Sequence, residues 1–224
     1  PAHDDAPAPI LSLIGPYGAG KRTIAAALCA RARRRLVTVD CAELLAAGDE
    51  AFARAVPLAA REALLAGAAI HWVHGGAALA ADRPADRAAL LAALRSSPHL
   101  AFVSGTAPWD PALALGERPF LELELPRPSA SEQVQLWTTA LGERRAADVD
   151  LAALSSTFRF TPGQIRDAVA AAANLARFRE PPAPPAMADL TAACRALHAK
   201  RLGALARAVP PRHGWDDLVL PADR

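Results

Sequence analysis

Over the first 125 residues, short apolar runs alternate with stretches of helical period. Ile10-Leu11-Ser12-Leu13-Ile14 reads as a buried strand, and Ile24 to Ala30 as the helix that follows. Leu36-Val37-Thr38-Val39 is a second strand, ending at Asp40. A helical pattern runs from Asp49 to Leu65, where Pro57 is expected to start a new helix or kink the old one. Gly67 stops it, and Ala68 to Val73 is the third strand. Asp86 to Leu94 is helical, Leu100 to Ser104 is a fourth strand, and Phe120 to Leu125 a fifth. In the fifth, Leu121, Leu123 and Leu125 alternate with Glu122 and Glu124, which predicts one buried face and one wet or edge-like face. Strands alternating with helices predict an α/β fold with a five-stranded parallel sheet.

After Pro126-Arg127-Pro128 the pattern turns entirely helical. Ser129 and Glu132 have the spacing of a capping box, as do Thr161 and Gln164 with proline at the first helical position. Helices are predicted from the Val134 region, over Val149 to Thr157, from Thr161 to about Phe178, and from Met187 to Val209, with Pro181 to Pro185 as a loop. The division expected is a leader over 1–8, an α/β subdomain over 9–127, a small all-α lid subdomain over 128–208, and a linker over 209–224. The apolar cluster at Trp215 and Leu218 to Leu220 is expected to serve a following module.

Composition narrows the function classes. The 224 residues are 52% hydrophobic and 21% charged, which fits a globular chain with a substantial core. With 25 basic against 23 acidic residues, nucleic-acid binding is not expected as the main business. Arg31, Arg33, Arg34 and Arg35 crowd a helix C-terminus, where the helix dipole favours them. Cys29, Cys41 and Cys194 have no metal-ligand spacing and read as buried small hydrophobes in a reducing, cytoplasmic setting. No run approaches the roughly 20 apolar residues that span a bilayer, so no membrane partner is expected.

The chemistry is concentrated between the first strand and the first helix. Gly15-Pro16-Tyr17-Gly18-Ala19-Gly20-Lys21-Arg22-Thr23 matches G-x-x-x-x-G-K, but Arg22 stands where the motif asks for a Ser or Thr hydroxyl. The glycines let backbone N–H groups curl round phosphate oxygens, the helix start adds partial positive charge, and Lys21 adds a full one. An ordinary glycine turn would explain the glycines and not the lysine placed after them. The missing hydroxyl is a Mg²⁺ ligand, and Thr23, one residue late, is turned about 100° round the helix. The loop is therefore expected to hold ATP or ADP weakly and Mg²⁺ poorly.

A phosphate loop opening a five-stranded α/β region and followed by a helical bundle resembles the AAA+ ATPase module, over roughly residues 8 to 208. Ser104 to Leu113 resembles the segment after the fourth strand of that family, which makes Thr106 the sensor-one position. Arg118-Pro119-Phe120 stands where such proteins carry an arginine finger. Pro162-Gly163-Gln164-Ile165-Arg166 resembles the sensor-two motif, whose arginine is offered to the nucleotide. The resemblance is to bacterial tandem AAA+ proteins, some of them belonging to contractile injection systems.

The same resemblance exposes what has been lost. The third strand should end in the Asp-Glu of the Walker B motif, yet His74 and Gly75 occupy those places. An imidazole is a poor ligand for a hard cation, and glycine offers no base. His71 and His74, three apart on a strand, point to opposite faces and do not pair as metal ligands. The expectation is a hydrolysis-defective module that assembles with other AAA+ modules or with copies of itself in a ring, within a machine acting on a protein substrate. The alternative is an active ATPase motor with atypical metal and base residues.

Overall fold

The computed structural model describes residues 8–143, 146–179, 181 and 183–202. Five strands, β1 (Ile10–Ile14), β2 (Leu36–Asp40), β3 (Ala69–Val73), β4 (Ala101–Gly105) and β5 (Phe120–Glu124), form one parallel sheet in the order β2-β3-β4-β1-β5. Ile10 lies opposite both Ala101 and Phe120, so β1 is flanked on both sides and its exit is central. Because every strand runs the same way, the loops leaving β1, β2, β3 and β4 gather along one end of the sheet, where open α/β sheets bind ligands.

Helices cover both faces because the strands are apolar on both. On one face α1 (Lys21–Arg31) buries Ala25 and Cys29 against Leu13, Ala69 and Phe102. On the other, α3 (Asp49–Leu65) and α5 (Pro84–Ser96) bury Phe52, Val56, Leu90 and Leu94 against Ile70, Trp72 and Val103. Burying side chains of this size contributes roughly 1.5–3 kcal/mol each, which is what holds the layers together. Two short helices, α2 (Cys41–Ala46) and α4 (Gly75–Ala78), were not legible as apolar periods. α2 exists because the Asp40 carboxylate accepts from the Ala42 backbone N–H at 3.0 Å.

Two expectations are corrected. α3 runs unbroken through the exposed Pro57, so proline does not start a new helix there. In β5 neither face is buried: Leu121 is 57% and Leu123 40% exposed. The strand lies at the sheet edge, so alternation there does not mark a core face.

The lid comprises α6 (Ala130–Leu141), α7 (Leu151–Thr157), α8 (Pro162–Arg177) and α9 (Met187–Leu202), packed round Trp137, Leu154, Phe160, Ile165, Leu190 and Cys194. Both capping boxes are formed, Ser129 with Glu132 and Thr161 with Gln164. The leader over 1–7, the extension of α9 to Val209 and the tail containing Trp215 lie outside the described residues. All three cysteines are buried, and none of the described helices is long and apolar enough to cross a membrane.

One turn departs from the residue its backbone prefers. α1 is closed by N–H groups of Arg33 and Arg34 returning to the Ala30 and Cys29 carbonyls, and Arg33 sits at φ 50°. Left-handed backbone suits glycine there, and a side chain with a Cβ costs about 1 kcal/mol.

Candidate functional site

The loop between β1 and α1 sits at the exit of a strand paired on both sides, between β4 and β5. The Gly15 N–H donates to the Gly105 carbonyl of the adjoining β4 exit at 3.2 Å, which places Thr106, exposed, next to the loop. Lys21 opens α1, and its Nζ donates to the carbonyls of Gly15 and, at 2.9 Å, Pro16. Partial burial lowers its pKa from the ordinary lysine value. The first-turn N–H groups of α1, from Lys21 to Thr23, have no helical acceptor by construction and face the same place.

Beside the lysine lies a cluster that only part of the sequence reading anticipated. Arg22 donates from Nη2 to Asp40 Oδ2 at 2.9 Å, and His74 Nδ1 lies 2.9 Å from Asp40 Oδ1. β2 and β3 are paired with Asp40 opposite Val73, so the end of β2 delivers the carboxylate directly to the residue after β3. His74 reaches it from left-handed backbone at φ 56°. Burial pushes the Asp40 carboxyl up, but the bond and charge of His74 and the amides of Ala42 and Glu43 outweigh it, holding the pKa below the ordinary value. Both carboxylate oxygens are spoken for. Asp40 was not among the site residues expected from the sequence, although its place at a strand exit before a helix start was the available signal.

Gly75 is closely packed. A Cβ there would come within 3.0 Å of Val103 Cγ1 and 3.2 Å of Trp72 Cβ. A larger residue where the family resemblance asks for a glutamate would thus require Val103 or Trp72 to shift by a few tenths of an ångström.

Behind this cluster His71 is fully buried, with Nε2 3.2 Å from Ser104 Oγ and Nδ1 without a partner among the described residues. Burial first, then the charges of Arg22, His74 and Lys21, lower its pKa to about 4. The folded state therefore prefers neutral imidazole, so its contribution is complete above the unfolded pKa of 6.5 and disappears as pH falls toward 4. That is worth about 3 kcal/mol, at 1.36 kcal/mol per pKa unit. Replacing His71 with leucine is expected to flatten the fall in urea midpoint between pH 7 and pH 4.5. Asp40, depressed below 3.8, loses its contribution only at lower pH, so the two windows separate in the same titration.

The lid touches the loop through its helix start. Thr161 Oγ1 donates to the Tyr17 carbonyl at 2.9 Å, and the Gly163 N–H donates to the Gly18 carbonyl at 2.8 Å. Two glycines make this possible: a Cβ on Gly163 would lie 2.6 Å from Gly18 Cα, and one on Gly18 would lie 2.4 Å from Thr161 Oγ1. Tyr17 itself is 67% exposed, its hydroxyl 3.5 Å from Asp167 Oδ2. Arg166 is the fifth residue of α8, exposed, on the helix whose start abuts the loop. Ala19 and Gly20 complete the turn, with the Ala19 N–H returning to the Pro16 carbonyl at 3.2 Å, while Thr23 is exposed on α1.

Arg118 does not join this assembly. It precedes β5, at the opposite end of the sheet from the β1–α1 loop, and is 8% exposed. Its guanidinium donates to the Ala8 carbonyl at 3.1 and 2.6 Å, to His99 at 2.7 Å and to Leu94. An arginine finger must reach out to a neighbour's phosphate, whereas this one is turned inward and ties three chain segments together. The sequence expectation is corrected on that point. A groove of about 520 Å³ between α3 and α5, lined by Ala53, Pro57, Ala60 and Leu64 among others, lies away from the loop and gathers no reactive side chains apart from Arg61. Among the described residues no group of three or more His, Cys, Asp or Glu could hold a metal.

Residues 129–200 match the family described as the contractile injection system ATPase helical domain. No curated protein matches the chain in sequence. A solved structure described as "Structural Basis for Katanin Self-Assembly" is similar with a TM-score of 0.65 and 19% identity, covering 85% of this chain and 72% of that one. It is one of 714 matching chains, so the fold is a widely used one and function must be read from the site.

Proposed function

We propose that this chain, whose residues 129–200 match the contractile injection system ATPase helical domain, is an AAA+ nucleotide-binding module without hydrolytic activity, serving the assembly or regulation of a larger tandem AAA+ ATPase. The observation that carries this is the Arg22–Asp40–His74 cluster. A guanidinium and an imidazole stand where the family places oxygen ligands for Mg²⁺, and the one carboxylate present is engaged by both. These residues do not fit a hard divalent cation, which takes oxygen donors in octahedral array. With no carboxylate at position 75 there is also no glutamate to activate a water.

The nucleotide itself fits better. Lys21 and the free first-turn amides of α1 are suited to a phosphate, and Arg22 adds a second cation beside them. Affinity is expected to be low, because Lys21 must exchange its two carbonyl bonds for the phosphate. ATP or ADP would then act as a structural ligand, stabilising the fold in proportion to the logarithm of its concentration over Kd. Partners in this reading are other AAA+ modules or copies of the chain in a ring, with a protein substrate handled by the whole machine in the cytoplasm.

Titration calorimetry with ATP tests it. Weak binding that changes less than about threefold on adding Mg²⁺ is expected, roughly 0.65 kcal/mol, and Lys21→Ala should weaken it further. A Mg²⁺-dependent gain beyond about tenfold, or 1.4 kcal/mol, would refute the assignment. One observation favours the alternative of a working motor: a carboxylate holds His74 at 2.9 Å, as one orients an imidazole base. Turnover abolished by Lys21→Ala and by His74→Ala would establish that reading instead.

A further inference from the structure

We infer that Thr161 is a positioning residue for the β1–α1 loop: through the first turn of α8, the lid holds the loop tip in the shape that receives phosphate. In its bearing on nucleotide affinity this rests on the function proposed above; the hold on the loop stands on hydrogen bonds alone.

Gly15 is tied to β4 through the Gly105 carbonyl, and Ala19 turns back on Pro16. Between them, the carbonyls of Tyr17 and Gly18 accept from the lid, at 2.9 Å from Thr161 Oγ1 and 2.8 Å from the Gly163 N–H. Among the described residues no other group donates to either carbonyl. The exposed Tyr17 ring does not anchor the tip by burial, and its hydroxyl again lies beside the lid, at Asp167. A trans peptide sets its N–H opposite its carbonyl, so fixing the Tyr17 oxygen on Thr161 also fixes the direction of the Gly18 N–H. That N–H has no acceptor among the described residues and points away from the lid contact, as a donor kept for an anion does.

The hydroxyl of Thr161 does two things at once. It accepts from the Gln164 N–H at 3.4 Å, capping α8, and it donates to Tyr17. Oγ1 also lies 3.2 Å from Gln164 Oε1, but that oxygen already accepts the Thr161 N–H at 3.0 Å, which leaves the shorter contact for the hydroxyl proton. Aspartate caps a helix as well and has no proton to give. Thr161 is fully buried, and the Phe160 N–H before it donates to Gln133 Oε1 at 3.0 Å. Gln133, fully buried on α6, donates in turn to the Pro128 carbonyl at 3.3 Å. The donor is therefore fixed in the frame of the lid, as a positioning group must be.

Hydrogen–deuterium exchange of the full chain, read over residues 15–23 beside the ATP titration and a thermal melt, tests this. Thr161→Val keeps the branched shape and loses the hydroxyl. It is expected to speed exchange of the loop about tenfold and to weaken ATP binding roughly threefold to tenfold, the range one hydrogen bond supports. Thr161→Ser should restore both. Valine also removes a helix cap, so Ser129→Ala supplies the comparison: it takes the cap from α6 in the same lid. That variant should lower the melting midpoint alike, with loop exchange and ATP binding as in the parent. Arg166→Ala should leave loop exchange unchanged, which separates this role from the one the family resemblance gives that arginine. Should Thr161→Val fail to fold, Gly163→Ala carries the test: its Cβ, 2.6 Å from Gly18 Cα, must push the lid off the loop, and the same faster exchange is expected. Loop exchange equal to the parent's in both variants, or equally fast in Ser129→Ala, would overturn the positioning role. A parent that binds no ATP while Thr161→Val still loosens the loop would sink the proposed function and leave the lid's hold on the loop intact.

Discussion

Replacing Arg118 with methionine is expected to lower stability by about 3 kcal/mol, seen as a thermal midpoint roughly 6–12 °C lower for a protein of this size. The reason is an accounting of acceptors. The guanidinium supplies four bonds to the carbonyls of Ala8, Leu94 and His99, which belong to the chain before β1, the end of α5 and the approach to β4. Methionine fills much of the volume and leaves those oxygens without their donor, at about 1–3 kcal/mol for each that water cannot reach. Burial already lowers the arginine's pKa, a sign that the site is held at some desolvation cost and is worth having only because the fork is saturated. Arg118→Lys should recover only part of the loss, since a point charge cannot span three acceptors. Exposed Arg34 provides the control: its replacement by methionine should change the midpoint little. An Arg118→Met protein as stable as the parent, yet unable to stimulate ATP cleavage by a neighbouring module, would restore the finger that the buried geometry argues against.

How much of this was legible in the sequence divides along physical lines. The strands, the lysine loop, the two capping boxes and the parallel α/β class all follow from local rules, periodicity and turn chemistry, which act within a few residues. The buried state of Arg118 did not follow, because its three acceptors are distant in sequence: Ala8 lies 110 residues away. The exposure of Leu121 and Leu123 was equally hidden, since alternation reports which residues share a face and not whether another element covers that face. That Pro57 does not start a new helix has a related reason: a helix buried on one side tolerates the loss of one bond when Phe52, Val56 and Ala63 hold its inner stripe. At the site, the individual departures at Arg22, His74 and Gly75 were readable one by one. Their meaning was not, because only the β2–β3 register brings Asp40 between Arg22 and His74. The close approach of Gly163 to Gly18 was invisible for the same reason, although both residues stood inside motifs already singled out.

Writing the family's carboxylates back into the third strand, His74→Asp with Gly75→Glu, is expected to yield no ATP turnover above background. It should also cost stability. Gly75 is buried, and any Cβ there meets Val103 Cγ1 at 3.0 Å and Trp72 Cβ at 3.2 Å, so the core must give by several tenths of an ångström. Overpacking of this kind costs about 1–3 kcal/mol, and burying part of a carboxylate adds to it. An aspartate at 74 would lose the hydrogen bond to Asp40 and set two carboxylates side by side, with Arg22 as their shared counter-ion. That guanidinium would remain where a metal ligand belongs. Adding Arg22→Thr is the informative third step, because it supplies the hydroxyl directly after Lys21 and removes the internal cation at once. The triple variant should gain Mg²⁺-dependent nucleotide binding while the double variant does not, measured by the same titration used for the parent. If the double variant alone hydrolysed ATP with Mg²⁺ at rates 10²-fold or more above background, roughly the low end of what a positioned base contributes, then Arg22 would be no barrier to the metal. The proposed non-hydrolysing role would then rest on two substitutions at the end of β3 and on nothing the loop itself does.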